Sequence, residues 1–145
     1  MTSTSNAASA GGSLRPAVVL GGNRIPFARA HGAYAGASNQ DMLTSTLEGL
    51  IARFGLQGEQ LGEVVAGAVM KHSADFNLTR ESVLGTSLAA HTPAHDVQTA
   101  CATGIETVGG IANKIRLGQI DSGIGGGDDT ISDAPLAFNN EAREI

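Results

Sequence analysis

Short apolar runs alternate along this chain with segments whose apolar residues repeat at helical spacing. An uninterrupted apolar run of this kind is typical of a strand that is buried on both faces in a parallel sheet. Strands and helices in the order βαβαβαβ predict an α/β layered domain with a mostly parallel sheet. The first three predicted strands are residues 17–20, 64–69 and 96–99. Residues 122–129 are predicted to be a fourth strand that runs into a glycine-rich turn.

Three helices are predicted between these strands. The first has Asn39 and Asp41 as candidate caps, ends at Gly55, and has a core face of Leu43, Leu47, Leu50, Ile51 and Phe54. The second covers residues 78–89. The third covers residues 101–117 and is apolar on nearly all sides, so we expect other layers to cover it all round. Its predicted core face is Ile105, Val108, Ile111, Ala112 and Ile115.

The composition fits one domain of 145 residues, of which 41% are hydrophobic. Aromatic residues make up only 3% and glycines number 20, so the core must be built from aliphatic and small side chains with close backbone approach. Residues 1–15 have no apolar periodicity and are predicted to be a disordered tail. Residues 16–145 are predicted to form the domain.

Charge and cysteine content exclude several classes of protein. The net charge is −5 and the nine basic residues are scattered, so no nucleic-acid partner is expected. The single cysteine cannot form an internal disulfide, and no signal peptide or membrane span is recognisable. A cytoplasmic location is therefore expected, with the mitochondrial matrix as the alternative. Pro93 separates His91 from His95 and argues against a helical pair of metal ligands, so no metal site is expected.

Cys101 is the only thiol in the chain, and it lies where a predicted strand gives way to a helix. The dipole and free amides at a helix N-terminus favour a thiolate, and small neighbours would let a substrate reach the sulfur. Sites in open α/β sheets also gather at the carboxyl ends of strands. Cys101 is therefore a candidate nucleophile. The alternative is an inert core residue, because free cysteine is among the most buried residue types.

A glycine-rich segment follows the last predicted strand, at residues 125–127. It lacks the residues of a phosphate-binding loop, so close packing beside the Cys101 helix is the better interpretation. Asp128 and Asp129 come next, and neighbouring residues on a strand point to opposite faces, which makes them a poor acid/base pair. No terminating element is predicted for residues 135–145.

Four motifs of the chain carry a family resemblance: residues 24–27 (Arg-Ile-Pro-Phe), the pair Asn77 and Arg80, residues 100–104 (Ala-Cys-Ala-Thr-Gly), and residues 125–132 with the following Pro135. Together they resemble the N-terminal part of a thiolase. The similarity is closest to the fatty-acid-oxidation branch that includes trifunctional-enzyme β subunits. Isoleucine at the second position of the first motif and Asp129 in the last differ from the threonine and glutamate that are common in the family.

The resemblance implies a fold of two similar halves stacked as five layers, with the Cys101 helix in the buried middle layer. Residues 16–145 would be an incomplete N-terminal half. Cys101 would be the catalytic nucleophile, taking an acyl group from an acyl-CoA or a 3-ketoacyl-CoA as a thioester, with its own N–H in an oxyanion hole. CoA compounds would be substrates, with no metal or redox cofactor. The assembly would be a homodimer or homotetramer, with residues 96–99 at the interface.

Two further motifs of the family are absent from this sequence: the Gly-His-Pro motif of the activating histidine and the Cys-x-Gly motif of a second cysteine. We therefore expect the chain to be the nucleophile-bearing N-terminal portion of a longer acyltransferase, inactive by itself. A ketoacyl synthase-type condensing enzyme is one alternative, since residues 99–104 would also fit its nucleophile motif. The other is a non-catalytic half-domain used for assembly, with a partner covering the apolar helix.

Overall fold

The computed structural model of the chain describes residues 13–143. Its elements are α1 (Asn39–Phe54), β1 (Glu63–Ala66), a 3₁₀ turn (Ser73–Asp75), α2 (Leu78–Leu84), β2 (Ala94–Asp96), α3 (Thr103–Arg116), β3 (Gly123–Gly125) and α4 (Asn140–Arg143). Residues 1–12 of the predicted tail lie outside the described part. The division into a tail and a domain stays a prediction, although the Arg15 N–H donates a 3.0 Å hydrogen bond to the Arg116 carbonyl.

The sheet is parallel throughout, with the strand order β2-β1-β3. β1 is the central strand, and its Val64 pairs with Ala94 on one side and with Ile124 on the other. Helices α2 and α3 pack against the sheet, and α1 packs against α2. The predicted α/β class with a parallel sheet is confirmed. All three strands end at the same edge, and Cys101 follows β2 there.

The core is aliphatic, as the composition predicts, and α1 supplies its largest share. Leu43, Leu47 and Ile51 are 3%, 3% and 0% exposed. They pack against Val64 and Ala66 of β1 and against α2. Phe54, which was also assigned to this face, is exposed instead.

The cap of α1 differs from the prediction. Ser38 is the N-cap, and its hydroxyl accepts a hydrogen bond from the Asp41 N–H, while the Asp41 carboxylate accepts one from the Ser38 N–H. This reciprocal pair is a capping box. Asn39 is buried, and its amide donates to the Met70 carbonyl. Gly55 ends the helix with φ of 65°, as predicted.

The predicted first strand, residues 17–20, is wrong. The segment has no strand structure, and Val18, Val19 and Leu20 are 73%, 83% and 84% exposed. This segment and β3 both line an apolar cavity of about 560 Å³. Within the part of the chain that the structure describes, β3 pairs only with β1, so residues 17–20 add no strand to the sheet.

The remaining elements are shorter than predicted, or shifted along the chain. β1 ends at Ala66 rather than at residue 69, α2 stops at Leu84 because Gly85 caps it, and β2 covers residues 94–96 rather than 96–99. β3 lies within its predicted range. The short helix α4 falls where no element was expected.

The third helix begins at Thr103, two residues after Cys101, and its predicted core face is confirmed only in part. Ile111 is buried and Ala112 and Ile115 are half-buried, whereas Ile105 is 82% exposed and Val108 is 43% exposed. Thr103 and Thr107 are buried beside Ile111. The two threonine hydroxyls donate to backbone carbonyls, so polar side chains occupy positions that a purely apolar pattern assigns to the surface. The expectation that α3 is covered all round is not met within residues 13–143.

Glu63 ties the layers together at the amino end of β1. Its carboxylate lies 3.2 Å from His95 Nδ1 on β2 and 2.5 Å from Lys114 Nζ on α3. His95 is the middle residue of β2, and its ring contacts the first residue of β1. Among the helices of residues 13–143, none has the length and apolarity needed to cross a membrane.

Candidate active site

Cys101 lies at the carboxyl edge of the sheet, in the loop that leads from β2 into α3. Ala102 is the N-cap of α3, so the cysteine stands just outside the helix rather than within its first turn. Its side chain is exposed and forms no disulfide. The interpretation of Cys101 as a buried, inert core residue therefore does not fit its position.

The turn that carries Cys101 has an unusual backbone. Ala100 has φ of 49°, in the left-handed region where a residue with a Cβ is disfavoured by roughly 1–2 kcal/mol. Thr103 holds this turn in place, because its hydroxyl donates to the Ala100 carbonyl at 2.8 Å and accepts from the Thr99 N–H at 3.0 Å. Backbone strain held by surrounding structure is common at functional sites.

A cavity of about 350 Å³ opens beside the thiol. Small or aliphatic residues form most of its wall, including Gly67, Val69, Gly104 and Gly127. Of the polar groups that line it, Asp128 has both carboxylate oxygens buried, each with less than 1 Å² of accessible surface. No group within residues 13–143 donates a hydrogen bond to either oxygen.

The two adjacent aspartates at this edge have different environments. Asp129 accepts hydrogen bonds from the Val69 and Met70 N–H groups, at 2.8 and 2.9 Å, and so fixes the segment after β1. Burial raises the pKa of Asp128 to about 7, and the charges of Asp129, Asp75 and Asp96 add to the effect. A large fraction of the Asp128 carboxyl groups is therefore protonated at neutral pH.

Asp96, at the end of β2, fixes the start of the loop that carries the cysteine. Its carboxylate pairs with Lys71 and accepts hydrogen bonds from the Leu78 and Thr79 N–H groups at the start of α2. Burial opposes ionisation of Asp96, but the hydrogen bonds from Lys71 and Thr79 outweigh it and lower its pKa. Asp96 is thus a charged structural anchor near the site.

Asn77 and Arg80 also have structural roles. Asn77 caps α2 by accepting from the Arg80 N–H, and its amide donates to the Ala94 carbonyl of β2. The Arg80 guanidinium donates to the carbonyls of Ala90 and Thr92, at 2.7 and 2.8 Å. The pair therefore fixes the segment that leads into β2 and, through it, the position of Cys101.

The glycine-rich segment allows α3 to approach β3 closely, as predicted. A Cβ on Gly125 would lie 2.7 Å from the Val108 backbone. The histidines lie elsewhere: His72 Nε2 is 2.7 Å from the Asp133 carbonyl oxygen, and His31 is exposed. No histidine of residues 13–143 lines the cavity that holds Cys101.

Sequence reasoning identified the cysteine but missed Asp128 as part of its surroundings. Asp128 and Asp129 follow the end of β3 rather than lying on a strand, and both line the cavity. They differ in that backbone N–H groups of residues 13–143 donate to Asp129 and to neither carboxylate oxygen of Asp128. Two consecutive acidic residues at the end of a buried strand are the signal that could have placed one of them inside. The larger cavity beside residues 17–20 is apolar and has a single titratable residue, Asp121, in its lining.

The amino-acid sequence is similar to known proteins along most of its length. Residues 17–144 match the family model of the thiolase N-terminal domain. The chain is 37% identical over 122 residues to the 3-ketoacyl-CoA thiolases of Yersinia pestis (strain Pestoides F) and Yersinia pseudotuberculosis serotype O:1b (strain IP 31758), a match that covers 84% of this chain and 28% of each relative. The chain therefore spans less than a third of the length of these relatives.

The fold has a solved counterpart in the crystal structure of the Bacillus anthracis acetyl-CoA acetyltransferase. The two superimpose with a TM-score of 0.83 over 89% of this chain and 33% of that one, at 20% sequence identity. At this identity the likeness concerns the fold. With the family match over nearly the full length, the motifs around Cys101 and the sequence identity to the Yersinia enzymes, the chain belongs to the thiolase family, as its N-terminal domain.

Proposed function

We propose that this chain is the nucleophile-bearing N-terminal portion of an acyl-CoA C-acyltransferase that forms or cleaves 3-ketoacyl-CoA. The observation that carries the proposal is the placement of Cys101. Its thiol is exposed on a strained turn at the carboxyl edge of a parallel sheet. The cavity beside it is lined mostly by small residues. The relatives are 3-ketoacyl-CoA thiolases, and their name supplies the proposed substrate class.

The proposed chemistry uses Cys101 as a covalent catalyst. In the cleavage direction, the thiolate attacks the 3-keto carbonyl carbon, and the bond between that carbon and the neighbouring methylene carbon breaks. The electron pair stays on the departing acetyl-CoA, which takes up a proton, and the shortened acyl group remains on sulfur as a thioester. A CoA thiolate then attacks this thioester and releases Cys101. The N–H of Cys101 is the proposed donor to the oxyanion.

Substrate and assembly follow from the same proposal. Acyl-CoA and CoA are the small-molecule partners, and no metal or redox cofactor takes part. A homodimer or homotetramer is proposed, since the outer edge of β2 has no neighbouring strand within residues 13–143 and is open for pairing. A cytoplasmic location is proposed on the basis of the single, unpaired cysteine.

The test is intact-mass spectrometry of the purified chain before and after incubation with acetyl-CoA. The chain alone is expected to complete no catalytic cycle, but its exposed thiol should still take up a single acetyl group. Hydroxylamine should remove this adduct, as it does other thioesters, and the Cys101→Ala variant should not form it. Because the chain has a single cysteine, a thioester can form only at this position. An adduct that persists in Cys101→Ala, or that resists hydroxylamine, would contradict the role of the thiol.

A non-catalytic assembly domain is the second candidate, and the outward face of α3 favours it. Ile105 is 82% exposed and Val108 is 43% exposed, so an apolar helix face is free to pack against a partner. This candidate predicts no adduct in the same experiment. It also predicts that the chain is recovered in a complex whose formation protects α3 from hydrogen exchange.

A further inference from the structure

A single side-chain group, the hydroxyl of Thr103, bonds to both sides of the turn that carries Cys101. It accepts from the Thr99 N–H at 3.0 Å and donates to the Ala100 carbonyl at 2.8 Å. The Ala102 N–H donates to the Thr99 carbonyl at 3.0 Å, which closes a β-turn around the cysteine. The position therefore requires a group that donates and accepts at once, as a hydroxyl does.

The methyl group of Thr103 fixes the direction of this hydroxyl. The residue is 6% exposed, and its Cγ2 would lie 3.2 Å from a Cβ at Gly67 and 3.6 Å from a Cβ at Gly127. The methyl group therefore packs against the segments that follow β1 and β3. A β-branched side chain has few rotamers, so the hydroxyl has little freedom to turn away from the Ala100 carbonyl.

The bond to the Ala100 carbonyl also sets the direction of the Cys101 N–H. This carbonyl and this N–H belong to one trans, planar peptide group, so the two point in opposite directions. The carbonyl oxygen accepts from the Thr103 hydroxyl and from the Thr103 N–H, at 2.8 and 3.2 Å. The Cys101 N–H therefore points away from the first turn of α3, and none of the bonds that hold the turn uses it.

We propose that Thr103 is a positioning residue, whose hydroxyl keeps the Cys101 N–H directed at the oxyanion during acyl transfer. The inference rests on the proposed function. In that step the Cys101 thiolate bonds to the carbonyl carbon of the acyl-CoA, and the electron pair of the carbonyl π bond moves to the oxygen. The oxyanion accepts the N–H hydrogen bond. It then collapses to a thioester as the bond to the CoA sulfur breaks and the CoA thiolate leaves.

The backbone of Ala100 indicates how much depends on this hydroxyl. Its φ of 49° lies in the left-handed region, which is disfavoured for a residue with a Cβ. Without the bonds from Thr103 the turn should relax to a negative φ, and the peptide group between Ala100 and Cys101 would no longer be fixed. The left-handed penalty corresponds to an about five- to thirtyfold loss of the present conformation.

The experiment compares two reactions of Cys101. Thr103→Val replaces the hydroxyl by a methyl group of similar size, and we expect acetylation by acetyl-CoA to become about five- to thirtyfold slower. Alkylation by iodoacetamide displaces iodide from a saturated carbon and forms no oxyanion. Its rate should therefore stay within about twofold of wild type, since the donor that Thr103 positions has no part in it.

Thr107→Val is the matched control. The Thr107 hydroxyl is also buried in α3, but it donates to the carbonyls of Gly104 and Gly126 rather than to the turn. Both reaction rates should match wild type in this variant. Slower acetylation in Thr107→Val, or an equal slowing of both reactions in Thr103→Val, would overturn the proposal.

A second substitution tests the link to backbone strain. Glycine adopts positive φ without the penalty that alanine has, so Ala100→Gly should restore most of the acetylation rate to a Thr103→Val chain. A double variant as slow as Thr103→Val alone would show that the hydroxyl does not act through this turn, and the proposal would be wrong.

Amide hydrogen exchange followed by NMR tests the same geometry without acyl transfer and without a variant. Thr99 is exposed, yet its N–H should be protected from exchange in the wild-type chain by the bond to the Thr103 hydroxyl. An unprotected Thr99 N–H would overturn the proposal even if Thr103→Val fails to fold. A wild-type chain that shows this protection but forms no acetyl adduct would contradict the proposed function alone.

Discussion

At the scale of single residues, the acidic side chains around the candidate site differ in whether they accept hydrogen bonds. Asp129 and Asp96 are acidic, lie near the cavity and are satisfied by backbone N–H groups. Asp128 has the same chemistry but no donor. The three residues are of one type, so the lack of hydrogen-bond donors within residues 13–143 distinguishes Asp128, and its buried carboxyl group binds a proton more readily.

The protonation of Asp128 also bears on folding. Its folded pKa, about 7, lies above the value of 3.8 for a free aspartate, so the folded state holds this proton more tightly. The resulting stabilisation is fully present below about pH 4 and is lost as the pH rises through about 7. We expect Asp128→Asn to have a higher free energy of unfolding than wild type. The gain over wild type should be about 2 kcal/mol larger at pH 8 than at pH 5. Urea denaturation at the two pH values measures this.

Asp121→Asn is the control, because the Asp121 side chain is exposed. The difference in free energy of unfolding between this variant and wild type should be the same at pH 5 and pH 8. Asp96 acts with the opposite sign: its lowered pKa gives stability above about pH 4, which is lost as the pH falls further. The comparison is therefore made at pH 5 and above, where Asp96 stays ionised. An equal effect of Asp128→Asn at pH 5 and pH 8 would show that its carboxyl group titrates normally.

At the scale of elements, glycines set how closely strands and helices approach one another. Gly67, directly after β1, has no room for a side chain, since a Cβ there would lie 1.9 Å from the Val97 carbonyl oxygen. Gly109, in the middle of α3, has no atom within 4 Å of such a Cβ. The two positions therefore respond in opposite ways to the same substitution.

We expect Gly67→Ala to destabilise the chain by on the order of 2–3 kcal/mol, because the Val97 backbone must move. Gly109→Ala should stabilise it by about 0.5–1 kcal/mol, since alanine loses less conformational freedom in a helix interior than glycine. Chemical denaturation of both variants beside wild type tests the pair. A Gly67→Ala variant as stable as wild type would mean that β1 and β2 are less closely packed at this end.

At the scale of the whole molecule, two of the surfaces without a covering layer within residues 13–143 bear on assembly. One is the outer edge of β2, which is one of the two edge strands of the sheet. The other is the outward face of α3, where Ile105 is exposed. In the proposed assembly, strand pairing between copies would satisfy the first surface and a packed layer would cover the second.

The proposed dimer can be tested through one N–H group. The Val97 N–H donates to the Ala66 carbonyl, so the N–H of the next residue, Gln98, points away from the sheet. Gln98→Pro removes that donor and should turn a dimer into a monomer, as measured by sedimentation velocity. Gln98→Ala keeps the N–H but also loses the side-chain bond to Val69, and should remain dimeric. A monomeric wild-type chain, or two variants of equal mass, would contradict pairing through β2.

The sequence by itself determined the local features, because they depend on residues close together in the chain. Periodicity identified α1, and Gly55 marked its end. The alternation of apolar runs and helices predicted a parallel α/β sheet, and the motif around Cys101 identified both the family and the candidate nucleophile. The glycines beside α3 were correctly assigned to close packing.

Tertiary structure decided what depends on distant residues. Residues 17–20 are apolar enough for a strand, but they line a cavity together with β3 and do not pair with it. Thr103 and Thr107 can be buried because their hydroxyls donate hydrogen bonds to the carbonyls of Ala100 and Gly126, which precede α3 and follow β3. Asp128 differs from Asp129 only through what surrounds each carboxylate. Burial and hydrogen bonding between elements depend on which distant residues pack together in space. The spacing of residues along the chain does not specify these contacts.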